Sequence, residues 1–219
     1  SLVPHAPYSV SGTTFDRLNE LTEGKIISIH NQEHPAEDVL YKTGGGDFLR
    51  LFAVFGMQRS PIPLTGASSL RSVLSHFNRG QTIFLVHNTY TPEEDIVWAN
   101  DYAAREGLEL YYCLCPNANL YIESRLPDVS LLLRHRCRII LGTDSYSSNW
   151  QLSIAKEIGA LGDNLDLSQR GDLRKVLQWA TLNGAEALRW DHELGSFAPG
   201  KQPGVALIDP GSWTSQKLA

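Results

Sequence analysis

Four short apolar runs recur along the chain, each ending on a polar residue or a turn. Ile26-Ile27-Ser28-Ile29 runs into His30, and Ile83-Phe84-Leu85-Val86 runs into His87. Leu110-Tyr111-Tyr112-Cys113-Leu114 runs into Cys115-Pro116, and Ile139-Ile140-Leu141-Gly142-Thr143 into Asp144. Runs of this length, rich in β-branched and aromatic residues, read as buried strands. Between them the apolar period lengthens to that of a helix. Leu70, Val73, Leu74 and Phe77 form a helical stripe behind the Thr65–Ser69 loop, whose serines offer an N-cap. Thr91-Pro92-Glu93-Glu94 is a helix start with Thr at the N-cap, Pro at N1 and acid in the first turn; the helix runs to about Arg105 and stops near Gly107. Leu126–His135 and Trp150–Leu161 read as helices, and Leu173–Trp190 as one longer helix. Asn31–Asp38, Gly44–Gly46 and Pro116-Asn117-Ala118-Asn119 read as loops, and Phe48–Phe55 as a helix or packed lid.

Strands alternating with helices imply βαβ units and a parallel sheet. Polar residues at the tips of successive buried strands are how a (β/α) barrel builds its active site. Pro4–Tyr8 reads as the loop after a further strand whose body is absent from the sequence. A complete eight-stranded barrel needs roughly 250 residues, so the expected fold is α/β, a partial (β/α)8 TIM-type barrel. From Glu193 the pattern changes. Gly195–Lys201 is a turn and Val205–Asp209 a strand with no helix after it. The expected organisation is a half-barrel over 1–192 and a small β segment over 193–219. Ser1-Leu2-Val3-Pro4 begins inside a motif, so the chain is expected to be part of a longer protein.

Composition narrows the function classes. A formal net charge of -5 lacks the basic balance of a nucleic-acid binder. No apolar run approaches the roughly 20 residues that span a bilayer, and residues 1–5 carry neither the basic nor the apolar region of a signal peptide. Three cysteines, Cys113, Cys115 and Cys137, lack the paired spacing of a structural zinc site; a reducing, cytoplasmic compartment is the simplest expectation. Cys113 and Cys115 should share one face of their strand, with Leu114 opposite.

The strand tips carry the candidate chemistry. A neutral imidazole at position 30 can bind a divalent metal, and Glu33, three residues on, can shuttle protons. His87 read alone is a buried histidine satisfied by a neighbour. Asp144 is either a metal-bound carboxylate or an Asx-turn or N-cap for the serine-rich loop Ser145–Asn149. Together, His30, Glu33, His87 and Asp144 fit one barrel face serving metal-assisted hydrolysis.

The chain resembles the C-terminal part of the amidohydrolase superfamily, on the branch of nucleobase and nucleoside deaminases and triazine chlorohydrolases. The matching segments run in family order: Pro4–Ser9, Ile29–Glu33, Leu85–His87, Cys115–Asn119, Leu141–Ser145, Ala180–Ala185 and Gly195–Lys201. The resemblance implies barrel strands five to eight and a role for each tip. His5 would contact substrate and His30 would be a metal ligand. Glu33 would be the proton shuttle, and His87 would sit beside the reactive water. Asp144 would both bind metal and accept a proton. The implied cofactor is one divalent zinc or iron ion. The implied reaction is deamination of an amino-substituted heterocycle, a small molecule, by metal-activated water.

The sequence departs from the family at one important point: it contains no His-x-His, the family's first metal motif. With His30 and Asp144 alone the metal has two protein ligands, where catalytic zinc normally has three plus water. The chain by itself is therefore expected to be inactive and to need the missing N-terminal half of the barrel as a partner. An alternative reading is a non-catalytic half-barrel kept as a binding or assembly partner. Its exposed strand edges would favour homo-oligomers. No nucleic-acid or membrane partner is expected.

Overall fold

The computed structural model describes residues 2–163 and 165–218. The chain divides into two units, 1–111 and 112–219, and the boundary falls inside a strand.

The first unit is built on two parallel strands, β1 (Ile26–Asn31) and β2 (Thr82–His87), in register from Ile26↔Thr82 to Asn31↔His87. Their inward positions, Ile27, Ile29, Ile83 and Leu85, are at most 3% exposed. Around them lie α1 (Gly12–Leu21), α2 (Ala36–Thr43), α3 (Phe48–Val54), α4 (Ser69–Leu74) and α5 (Glu93–Glu106). The expected stripe Leu70, Val73, Leu74 packs toward Ile29, Ile83 and Leu85 around one small apolar cavity. The Ser68 hydroxyl caps α4 by accepting from the Arg71 N–H. α5 begins one residue later than the Thr91-Pro92 signal implies, with Pro92 at the N-cap. The Thr91 hydroxyl instead lies 3.4 Å from Asn31 Nδ2, so it serves the strand tips rather than the helix. Gly107, at φ 69°, closes α5 in the left-handed conformation that glycine adopts without strain. α1 and α2 were not legible as helices; α2 starts inside the stretch that reads as a polar loop.

Strand β3 (Glu109–Leu114) begins in the first unit and ends in the second. There its last residues pair in parallel with β4 (Ile139–Leu141), Tyr112 opposite Ile139. Cys113 and Cys115 do share a face. A Cβ built on Gly142 would lie 2.9 Å and 3.2 Å from their sulfurs, so the two thiols fill the space a side chain would need.

The helices of the second unit are α6 (Pro116–Glu123), α7 (Val129–Arg134), α8 (Ile154–Ala160), α9 (Arg170–Ala180) and α10 (Leu182–Ala187). Four of these correct the sequence reading. The expected loop at 116–119 is the first turn of α6, because proline at N1 is pre-set for a helix. α7 and α8 each start three or more residues late, where Asp128 and Ser153 accept N-capping bonds from Leu131 and Lys156. The single helix over 173–190 is two helices, broken at Thr181 (φ −130°, ψ −84°). Beyond the break, Asn183 Nδ2 donates to the Ile139 carbonyl at 2.8 Å and ties α10 to β4.

The expected terminal strand is β5 (Ala206–Asp209), and it has a partner that the sequence did not reveal: β6 (Thr214–Lys217), paired antiparallel. The observed class is thus α/β with parallel strands β1–β4 and a terminal hairpin.

Candidate active site

In the first unit the strand tips converge. His30 ends β1. Its backbone N–H donates to the His5 carbonyl at 3.0 Å, and its Nδ1 lies 3.0 Å from the same oxygen. A carbonyl only accepts, so Nδ1 is the donor in this contact, and in a neutral ring that tautomer leaves the Nε2 lone pair free to act as a ligand. This is how metal-binding histidines are held, with the second ring nitrogen donating to a carbonyl. The His5 ring stands edge-on to the His30 ring at 4.5 Å. The loop carrying His5 is fastened below by Tyr41, whose hydroxyl donates to the Pro7 carbonyl at 2.8 Å.

His87 ends β2. Register pairs it with Asn31, which in a regular strand would send its ring to the face opposite His30. Its φ of 77° breaks that alternation. The ring stacks on His30 with centroids 4.9 Å apart, and a nitrogen of each ring lies within 4.8 Å of the other. His87 is 1% exposed, and its Nε2 lies 3.5 Å from Glu33 Oε1. The reading of His87 as a buried histidine with a neighbouring partner holds as well, and the neighbour is a candidate catalytic group.

Gln32, His87 and Asn88 all have positive φ, a costly conformation for residues other than glycine. Such strain persists where the surroundings over-determine it, and here the surroundings are polar. The Asn31 and Asn88 side chains pair at 3.0 Å, and Asn88 Nδ2 donates to the Leu85 carbonyl at 2.7 Å. Tyr8 stacks on Phe48 at 4.1 Å. Burial, with the charges of Glu37 and Glu33 adding to it, pushes the Tyr8 hydroxyl up to about 12.

In the second unit Asp144 follows β4 at φ 54°, also in the left-handed region. It accepts a hydrogen bond from the Ser148 hydroxyl. It does not cap α8; Ser153 does that. Behind it, Asn149 Nδ2 donates to the Thr143 carbonyl and to Glu157 Oε1, both at 2.7 Å. Glu157 is fully buried and also accepts from the Asn117 N–H at 2.9 Å. Burial pushes its carboxyl up despite these donors. Two aromatics that follow Asp144, Tyr146 and Trp150, are 70% and 64% exposed; Trp150 meets Tyr121 edge-on.

Sequence reasoning missed the buried carboxylates Glu37, Asp95 and Glu157. Their signal is weak. Glu37 and Asp95 lie in helices with several other charges, and Glu37 sits among polar neighbours that suggest a solvated loop.

The profile of the amidohydrolase family matches residues 1–218. The chain belongs to the amidohydrolase family. It is 31% identical over 215 residues to a 5-methylthioadenosine/S-adenosylhomocysteine deaminase of Saccharophagus degradans, covering 94% of this chain and 42% of that protein. It is 33% identical over 132 residues to the guanine deaminase of Mus musculus, covering 58% of this chain and 28% of that protein. Among solved structures, an adenosine deaminase from Xanthomonas campestris with bound zinc superimposes with a TM-score of 0.66 at 24% identity, over 94% of this chain and 43% of that one. At that identity the likeness speaks to the fold. The chain spans less than half the length of these relatives. Among the described residues, no helix is long and apolar enough to cross a membrane.

Proposed function

We propose that this amidohydrolase chain is the proton-handling part of a metal-dependent deaminase acting on an amino-substituted heterocycle of the purine type. The observation that carries the reading is the line of side chains in the first unit, in which Glu33 meets His87 and His87 stacks on His30. The deaminase relatives support the reaction class, and the bound zinc of the Xanthomonas structure supports the choice of metal.

His30 and Asp144 are the proposed metal ligands. The tautomer imposed on His30 by the His5 carbonyl suits it to that role. A divalent zinc or iron ion held by His30 and Asp144 would lower the pKa of a bound water toward neutrality. Asp144 would accept a proton from the attacking water, and its bond from Ser148 orients the carboxylate. His87 holds the attacking oxygen by a hydrogen bond. Glu33 gives a proton to a ring nitrogen of the substrate, which makes the adjacent carbon electrophilic; the water oxygen adds to that carbon, the amine takes up the proton held by Asp144, and the C–N bond breaks to release ammonia as the new hydroxyl returns a proton to Glu33. Acid–base steps of this kind contribute roughly 10²–10⁴-fold each. His5 contacts the substrate.

The family's His-x-His is absent from the sequence, so the remaining ligands come from outside this chain, in the proposed N-terminal half of the barrel. The half-barrel over 1–192 with a β segment over 193–219, the cytoplasmic location and the association of copies belong to the same proposal. The test is ammonia release from a panel of aminopurines and their nucleosides by the protein that carries this chain, with metal content measured in parallel. Release that is lost on chelation and restored by zinc or iron supports the reading. Absence of release across the panel with metal bound contradicts it.

A further inference from the structure

Glu37 lies in the first turn of α2 and is 1% exposed. Its carboxyl reaches back, out of the helix, to the loop that leaves β1. Three consecutive backbone N–H groups donate to it: Gln32 to Oε2 at 3.0 Å, Glu33 to Oε1 at 2.9 Å and His34 to Oε1 at 3.3 Å. The Ser69 hydroxyl approaches Oε2 at 3.4 Å. The middle donor is the backbone of the candidate proton shuttle.

The residue before it is fixed from other directions. Gln32 has a φ of 42°. Its side-chain amide donates to Asp95 Oδ2 at 2.7 Å and to Asp38 Oδ1 at 3.2 Å, and its carbonyl accepts from the Tyr90 N–H at 3.0 Å. Asp95 is in turn held by Arg71 Nε at 2.6 Å. The short loop is therefore clamped at every residue from 32 to 34. From that clamped backbone the Glu33 side chain extends to His87.

We infer that Glu37 is a positioning residue for Glu33: its carboxyl fixes the loop N–H groups and so holds the shuttle carboxylate against His87. The inference rests on the deaminase reading above. A capping-box carboxylate reaches back to one N–H, that of the N-cap residue, whereas the three donors here all precede the N-cap Pro35 and belong to the site loop. In the second unit the buried Glu157 of α8 accepts from one main-chain N–H, that of Asn117 in α6, and from the Asn149 side chain.

The test compares wild type, Glu37→Gln and Glu37→Ala by amide hydrogen exchange, metal content and steady-state ammonia release. Removing the carboxyl should speed exchange at Gln32, Glu33 and His34 about 10²-fold while the β2 amides of Ile83 and Leu85 keep their protection. It should lower kcat about 10²-fold, the cost of a misplaced catalytic group, with KM and metal content nearly unchanged. Glu37→Gln keeps an Oε1 acceptor for Glu33 and His34 and loses the acceptor for Gln32. It should therefore recover most of the activity and expose only the Gln32 amide. That graded rescue separates positioning from a structural role, which would move the β2 amides too. Unchanged kcat in Glu37→Ala, or equal losses in both variants with faster β2 exchange, overturns the inference. If Glu37→Ala does not fold, exchange in Glu37→Gln decides: protection unchanged at Gln32 overturns it. If the wild type releases no ammonia, the deaminase reading fails. The exchange data then still judge the clamp, and unchanged exchange at 32–34 in Glu37→Ala overturns it.

Discussion

The ring of His30 and the backbone of His5 are joined twice: the carbonyl oxygen of His5 lies 3.0 Å from both the N–H and the Nδ1 of His30. Because the acceptor is main chain, His5→Ala leaves that contact in place and removes only the imidazole. Metal affinity in His5→Ala should stay near that of wild type while KM rises. His30→Ala should lose at least 10–100-fold in metal affinity, the scale on which such sites respond to lost support. Competition with a chromophoric chelator measures both. Equal metal loss in the two variants would show that the His5 ring, not its carbonyl, supports the site.

The Glu37 carboxyl is raised from 4.5 to about 8, chiefly by burial. The sign follows directly. Between those values the folded chain keeps a proton that the unfolded chain has lost, so unfolding releases a proton and stability falls as pH rises through the window. The loss approaches about 1.4 kcal/mol per pH unit at most. Glu37→Gln removes the titrating group and should flatten the curve between about pH 5 and 8. Urea denaturation at three pH values across that range checks it. A wild-type curve as flat through the window as that of Glu37→Gln would show that the loop N–H donors offset burial.

Gly159 of α8 faces Trp213 in the turn between β5 and β6. A Cβ at position 159 would lie 2.5 Å from the indole ring, and Lys156 Nζ donates to the Ser212 carbonyl at 2.8 Å beside it. Gly159→Ala should therefore displace the hairpin turn and cost about 1–3 kcal/mol, the usual cost of overpacking. The displacement should show as a change in Trp213 fluorescence and faster proteolysis at 210–213. A variant as stable as wild type with unchanged fluorescence would mean the contact is not tight.

The four parallel strands were legible because apolar runs of that length have few other uses, and the polar residues ending them marked His30, His87 and Asp144. The helices were harder. α6 hid behind Pro116, which reads as a breaker yet is at home at N1. The break at Thr181 was invisible because Leu173, Val176 and Leu177 continue the helical stripe up to it. β6 has no apolar pattern, since all four of its residues are exposed. In the candidate site, the sequence named the candidate side chains but not what aims them. Backbone φ at Gln32, His87 and Asp144 is not encoded in residue type, as none of them is glycine. Glu37 looked like a surface carboxylate beside Asp38, because its main partners are backbone N–H groups that no side-chain pattern reveals, and Glu157 is held by Asn117 and Asn149, 40 and 8 residues away.

Asn149 joins the Thr143 carbonyl to buried Glu157. Asn149→Ala leaves one oxygen of a buried carboxylate short of a donor, which costs about 1–3 kcal/mol. A thermal-denaturation series of Asn149→Ala, Glu157→Gln and the double variant should show a combined loss smaller than the sum, as expected for residues in direct contact. Strict additivity would place them in separate interactions.

The central claim is that Glu33 moves the proton that makes the heterocycle reactive. The most direct measurement is ammonia release from an aminopurine panel by wild type and Glu33→Gln, each shown to carry the same metal. The account predicts a fall in kcat of about 10²–10⁴-fold in Glu33→Gln, with metal content and thermal stability unchanged. Full activity in Glu33→Gln with metal bound would contradict it.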